Sequence, residues 1–301
     1  MGYRSDRISP DHRFDRLETT LSHLLREPHA ALGGRAYGPA LLDGLDAAGF
    51  GPGPDGTVLE VGGGAGWLAR ACLVARPALS WWCTDVSRPA LAAQRARAGA
   101  AAGQARTAFL RADGRALPMG NGSVSGLLLA NEVIADLPAA PGPGGGLVNA
   151  GALAFVSEVA RVLAPGGRAA LIEFGGDGPV RAVPMWGDLG AGDHEEYTIR
   201  FPDLADAACA AGLDATVAPL FDVLGIDGSV RVASYTDLRR LAALVPATPI
   251  IAQPADEVRR RHPVLTRLFA FEFPRLDSSR FPDAGPGPGA AEAFQVLMLR
   301  R

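Results

Sequence analysis

Cysteine is scarce: the 301 residues hold three, Cys72, Cys83 and Cys209, scattered along the chain and without a CxxC pair. An odd, dispersed set excludes a disulfide framework and reads as free thiols in a reducing compartment, so a cytoplasmic setting is expected. Long apolar runs are missing too, and none approaches the ~18 residues a membrane-spanning helix needs. The first residues, "MGYRSDRISPDHRFDR", contain no apolar core of a secretory signal, and Asp6 breaks the myristoylation pattern. Neither sign of charge dominates: 29 Lys and Arg stand against 32 Asp and Glu, for a net charge of −3. No global basic field is there to recruit nucleic acid or anionic lipid. A soluble chain with no nucleic-acid or membrane partner is the expectation.

Glycine and proline are plentiful, at 38 and 24 residues, but they cluster in short loops between apolar segments of a chain that is 48% hydrophobic. That is enough apolar material for one large domain, or a domain plus an elaboration, with a sizeable core. "FDRLETTLSHLLR" puts Phe14, Leu17, Leu21, Leu24 and Leu25 on one helical face, and "YGPALLDGLDAAG" offers a second short helix closed by Gly49. Strands are then expected at 57–62, 79–87, 107–113, 124–133, 168–176, at "DATVAPL" and at the terminal "AFQVLMLRR", with helices between. Strands recurring after helices of this length indicate βαβ units and a mostly parallel sheet wrapped on both faces. About 70 residues separate the last two strands, too many for a structureless loop. They carry helical patterns at 235–244 and 255–270. The expected division is a helical cap over 1–50, a core over 51–224, a helical insertion over 225–290 and a terminal core strand over 291–301.

"VLEVGGGAGWLAR" crowds glycines behind the first strand. A parallel strand, a glycine turn and a helix N-terminus form a cofactor site, because any Cβ in the turn collides with the ligand. The GKS or GKT of a phosphate-binding loop is absent. A nicotinamide fingerprint, G-x-G-x-x-G, fits Gly62 and Gly64 but meets Trp67 at its third position. The pattern E/D-x-G-x-G-x-G matches at Glu60, Gly62, Gly64 and Gly66. Asp85 ends the second strand 19 residues past Gly66; a carboxylate there can accept two hydrogen bonds at once, and alone it fits NAD binding as well. Asp113 and Gly114 follow the third strand in "RADGRALP", and "EVARVLAPGGRAALIEF" makes a helix, a Pro-Gly-Gly stop and a strand.

With these motifs the chain resembles the class I S-adenosylmethionine-dependent methyltransferases over about residues 55 to 220. The resemblance implies a seven-stranded, mostly parallel, doubly wound α/β sheet of the methyltransferase type. It implies a glycine loop of Gly62, Gly64 and Gly66 under the methionine and ribose of S-adenosylmethionine, with Glu60 organising the amino-acid end. Asp85 and its neighbour Val86 would meet the ribose side, and Asp113 and Gly114 the adenine. Bland readings stand beside these: Glu60 as a loop-ordering carboxylate, Asp85 as an exposed strand end, Asp113 as a turn former, and Trp67, Trp81 and Trp82 as packing. "LPMGNGSVSGLLLANE" is similar to the family's approach to the fourth strand, with Asn121 and Gly126 in place of two usual acidic residues.

Acceptor groups in open α/β folds sit beyond the carboxyl ends of the strands. After the fourth strand, Asn131 and Glu132 take the place of the N/D-P-P-Y/F motif of many amino-directed methyltransferases, but both prolines and the aromatic are missing. "NEVIADLP" is also similar to the "NE-x-x-DALP" of a protein-arginine methyltransferase family, though the rest of the chain does not follow it. Asn131 is a candidate for cofactor contact and Glu132 for catalysis, or else Glu132 is a helix-start carboxylate and Asp136 a turn residue. After the fifth strand His194 lies among Asp193, Glu195 and Glu196 in an expected loop. It is a candidate general base near neutral pH, or part of a solvated acidic turn. No second ligand cluster supports a metal there. His12, His23 and His29 lie near the first helix.

The Ala-, Arg-, Gly- and Pro-rich composition resembles that of high-GC actinomycetes, in which such stand-alone enzymes often modify secondary metabolites. A small-molecule acceptor, methylated on oxygen or nitrogen, is therefore the leading expectation. A peptide or protein acceptor, a Rossmann-type NAD(P)-binding oxidoreductase and a non-catalytic S-adenosylmethionine-binding protein are the alternatives. The 225–290 insertion either walls the acceptor site, with Phe269, Phe271 or Phe273 facing it, or forms a homodimer interface.

Overall fold

A computed structural model describes residues 32, 35–102, 106–185, 194–225, 230–231, 253–254 and 294–301. The expected helix over 14–25, the three N-terminal histidines and the helical patterns at 235–244 and 255–270 lie outside them. So do Phe269, Phe271 and Phe273. Within 225–290 the described residues are Gly225, which ends a short helix, and two strand segments. Val230–Arg231 pairs antiparallel with Gln253–Pro254.

Among the described residues seven strands run through the main sheet: β1 (Thr57–Val61), β2 (Ser80–Asp85), β3 (Thr107–Arg111), β4 (Leu127–Asn131), β5 (Arg168–Gly176), β6 (Asp214–Pro219) and β7 (Phe294–Arg300). Their spatial order is β6-β7-β5-β4-β1-β2-β3. Strands β1 to β5 pair parallel, and β7 lies antiparallel between β5 and β6. An eighth segment, Ile199–Arg200, adds a short parallel pairing to the end of β5. The seven-stranded, doubly wound sheet is as expected.

Among the described residues six helices flank it: α1 (Tyr37–Ala47), α2 (Trp67–Ala75), α3 (Arg88–Ala102), α4 (Ala150–Val162), α5 (Phe201–Ala210) and α6 (Leu220–Leu224). Alternation along each strand sorts the core into two layers. In β4, Leu127 and Leu129 join Leu41, Leu45, Leu73 and Trp81 on the α1–α3 face. Leu128 and Ala130 join Phe155, Val159 and Leu204 on the α4–α5 face. β4 is buried along its whole length, which explains why it reads as an unbroken apolar run.

The two tryptophans of β2 separate by the same rule. Trp81 is fully buried, whereas Trp82 is 40% exposed. The expectation that both pack inside holds for Trp81 alone, because consecutive strand residues face opposite ways. Among the described residues no helix is long and apolar enough to cross a membrane.

Strand order reverses between β1 and β4, and the crevice beyond their carboxyl ends is where such sheets bind ligands. Glu60, Asp85 and Asn131 all stand at or next to that edge.

Candidate active site

The loop after β1 is shaped by what it must touch and what it must leave open. Gly62 adopts a left-handed φ of 69°, and a Cβ there would come within 2.5 Å of Val133 Cγ2, so the β1 and β4 turns meet without a side chain between them. Gly64, also left-handed at φ 49°, has nothing within 4 Å of its Cβ position. The first absence of a side chain permits packing; the second keeps a cradle clear. Gly66 caps α2 and lies against Gln94 of α3.

Two buried carboxylates support this loop from beneath. Glu60, 2% exposed, accepts a hydrogen bond from Trp81 Nε1 at 2.8 Å. Burial raises its pKa to about 7; the Trp81 bond opposes that rise and the Asp85 carboxylate adds to it. Asp85 accepts from the Ser87 N–H at 2.9 Å and from both the Gly64 N–H and Gln94 Nε2 at 3.1 Å. Burial lifts it to about 6 against those same hydrogen bonds. An ionised carboxylate offers roughly four acceptor positions. With the Val86 backbone N–H as a further donor, Asp85's acceptor positions are largely spent on the fold, and this carboxylate is the anchor of the glycine loop.

Helix α3 completes the support. Gln94, fully buried, donates from Nε2 to the Gly64 carbonyl at 3.0 Å as well as to Asp85, while its Oε1 has no partner among the described residues. One turn on, Arg97 donates to the Ala65 carbonyl at 2.6 Å and lies over the Trp67 ring, 4.4 Å from its centroid. Trp67 is accordingly half-buried under a cation rather than packed in the core. Val86 gives its carbonyl to Arg111 Nε at 3.1 Å. Asp113 is gripped by the Arg115 fork, with Nη2 at 2.6 Å from Oδ2, and this pairing holds its carboxyl below the usual range. Gly114 sits where a Cβ would meet Phe155 and Val61, both at 3.1 Å.

On the β4 side, the Tyr37 hydroxyl at the start of α1 donates to Asn131 Oδ1 at 2.5 Å, and both residues are buried. The next residue, Glu132, has a left-handed φ of 54° and is the only non-glycine residue with positive φ among the described residues. Its N–H donates to the Ile172 carbonyl of β5 at 2.9 Å. Glu173, 1% exposed, accepts from the Ala135 and Phe174 N–H groups at 3.1 Å and so ties down the 3-10 turn Ile134–Asp136. Burial, then the Glu196 and Glu132 charges, push its pKa well above the ordinary value. His194 is not in a loop. It opens the strand His194–Tyr197, whose hairpin pairs it with Met185, and that strand packs against the Ile134–Asp136 turn. Ladder pairing with Ala182–Met185 is what orders this stretch.

Residues 58–167 match the family model of a methyltransferase domain. The chain carries a methyltransferase domain over that stretch, on a fold that resembles the class I methyltransferases. A Burkholderia thailandensis protein bound to S-adenosyl-homocysteine shares the fold at a TM-score of 0.52 and 20% identity, over 100% of this chain and 81% of that one. Haemonchus contortus phosphoethanolamine N-methyltransferase 2 in complex with S-adenosyl-L-methionine shares it at a TM-score of 0.53 and 14% identity, over 98% of this chain and 60% of that one. No curated protein matches the chain in sequence.

Sequence reasoning placed the glycine motif and both acidic residues at one sheet edge, and the structure brings them together there. It missed four side chains. Glu173 had a signal, as the lone charge inside the apolar strand "AALIEF". Gln94 and Arg97 had a weaker one, polar residues at helical spacing in an alanine-rich helix. Tyr37 had none, since its partner lies 94 residues away.

Proposed function

We propose that this chain is an S-adenosylmethionine-dependent methyltransferase that carries a methyl group to a nitrogen or oxygen atom of a small molecule, with secondary metabolites as the substrate class. The observation that carries the reading is the packing of α1 over the end of β4. It buries Tyr37 against Asn131, so an element of the same chain covers the end of β4. A site covered by its own chain suits a small acceptor better than a folded protein surface.

Glu60, Gly62, Gly64, Gly66, Asp85, Val86, Asp113, Gly114 and Asn131 would hold S-adenosylmethionine, and the open Cβ position of Gly64 is the feature that fits it most directly. When bound, the cofactor supplies an electrophilic methyl carbon on its sulfonium. The chain's own part is to align the acceptor and take the proton that an N–H or O–H acceptor sheds. Glu132 is the first candidate for that base: its left-handed backbone is a conformation that costs energy and that sites of function retain. His194, on the strand beside the Ile134–Asp136 turn, is the second.

The test is release of S-adenosyl-homocysteine from S-adenosylmethionine in the presence of panels of small amines, phenols and carboxylic acids, set against peptide and protein acceptors. Turnover with a member of the small-molecule panels supports the reading. Methyl label entering only peptides or proteins overturns it.

A further inference from the structure

The Tyr37–Asn131 contact has a direction that chemistry decides. Asn131 Nδ2 lies 3.4 Å from Glu132 Oε1. A carboxylate only accepts, so the nitrogen end of the amide must face Glu132 and the oxygen end must face Tyr37. The Tyr37 hydroxyl is then the donor, and at 2.5 Å it closes off Oδ1. Asn131 has two N–H groups. One points toward Glu132, and among the described residues the other meets no acceptor. The amide can rotate neither freely nor in reverse, because a flip would set its oxygen against the Glu132 carboxylate. Asn131 closes β4 at the strand reversal, with the strained Glu132 immediately after it and Val133 pressed onto Gly62 of the glycine loop.

We propose that Tyr37 is a positioning residue for cofactor binding: by occupying Asn131 Oδ1 it makes Asn131 a hydrogen-bond donor toward the crevice, where an acceptor atom of S-adenosylmethionine is held. The proposal rests on the assignment of Asn131 to the cofactor made above. It also ties α1, which lies outside the glycine motif, to the strength of cofactor binding.

A double-mutant cycle tests it without any methyl acceptor. S-adenosylmethionine is titrated calorimetrically into the parent protein, Tyr37→Phe, Asn131→Ala and the double variant, with the melting temperature of each recorded. Tyr37→Phe keeps the buried ring and should weaken binding about 3- to 10-fold, the span of one neutral hydrogen bond. Asn131→Ala should weaken it at least as much, and the double variant should be no weaker than Asn131→Ala alone, because Tyr37 acts only through that amide. Asn131→Asp supplies an independent arm: it can still accept from Tyr37 but has no N–H to give, so it should lose affinity as Asn131→Ala does. Parental affinity in Tyr37→Phe overturns the inference while leaving Asn131 at the cofactor. Losses that multiply in the double variant overturn it in favour of a purely structural tyrosine. Parental affinity in Asn131→Ala or Asn131→Asp overturns both the inference and the assignment beneath it.

Discussion

The two sides of the crevice are built by different means. The β1 side is a backbone turn whose shape comes from glycines within a few residues of one another, held from below by Glu60, Asp85, Gln94 and Arg97. The β4 side is an assembly of side chains from segments far apart: Tyr37 from α1, Asn131 and Glu132 from the end of β4, and Glu173 from β5. A turn that must admit a ligand against its backbone has few solutions, and the solution shows in the local sequence. A pocket wall assembled over long range has many solutions and leaves little local trace.

The largest effect expected from breaking this contrast is on turnover alone. Glu132→Gln should reduce methyl transfer by about 10²- to 10⁴-fold if Glu132 is the base. Cofactor affinity by calorimetry should stay within a few-fold of the parent. His194→Ala is the counterpart: a loss of that size there, with Glu132→Gln near parental, would move the base to the hairpin.

Next comes affinity alone. Gly64→Val fills the open cradle, and Asp85→Ala removes the anchor of the loop. Losing a pair of charge-assisted hydrogen bonds costs about 2–4 kcal/mol, or roughly 30- to 1,000-fold in affinity. Calorimetry with S-adenosylmethionine measures it. Parental affinity in both variants would remove the glycine loop from the site.

A third effect is on stability against pH. Glu60 and Asp85 have folded-state pKa values of about 7 and about 6, above their ordinary values of 4.5 and 3.8. A raised carboxyl pKa means the fold prefers the protonated form. That stability is fully present below the ordinary value and is lost as pH rises through the folded one. The cofactor-free melting temperature should therefore fall between pH 5 and pH 8. Glu60→Gln, which keeps an acceptor for Trp81, should flatten much of that slope. A slope unchanged in Glu60→Gln would show that Glu60 does not carry it.

The smallest effect sharpens the comparison from behind the loop. Arg97→Ala loses the bond to the Ala65 carbonyl and the contact with Trp67, and should weaken S-adenosylmethionine by a few-fold. Arg97→Lys should recover only part of this, since an ammonium cannot stack as a planar guanidinium does. Full recovery would reduce the residue to a point charge.

Much of the fold was legible because its signals are periodic and local. The strand "RAALIEFGG" and the helix "RPALAAQRARAGAAA" appear in the structure with the bounds read from the sequence. Trp82 was not legible as a surface residue, because composition says that a tryptophan is apolar but not which face of β2 a helix will cover. His194 was misplaced into a loop because "DHEEY" has no apolar alternation to announce a strand, and only pairing with Ala182–Met185 makes it one.

By itself the sequence determined the order of strands and helices, the glycine turn and the carboxylates at the ends of β1 and β2. Each of these follows from short-range sterics or from a repeat of two or 3.6 residues. Tertiary structure alone decided that Trp81 would hold Glu60, that Asp85 would be spent largely on Gly64, Ser87 and Gln94, and that Tyr37 would face Asn131. The reason is physical. A hydrogen bond forms where packing leaves a donor and an acceptor together out of water, and which groups those are depends on the arrangement of the whole sheet.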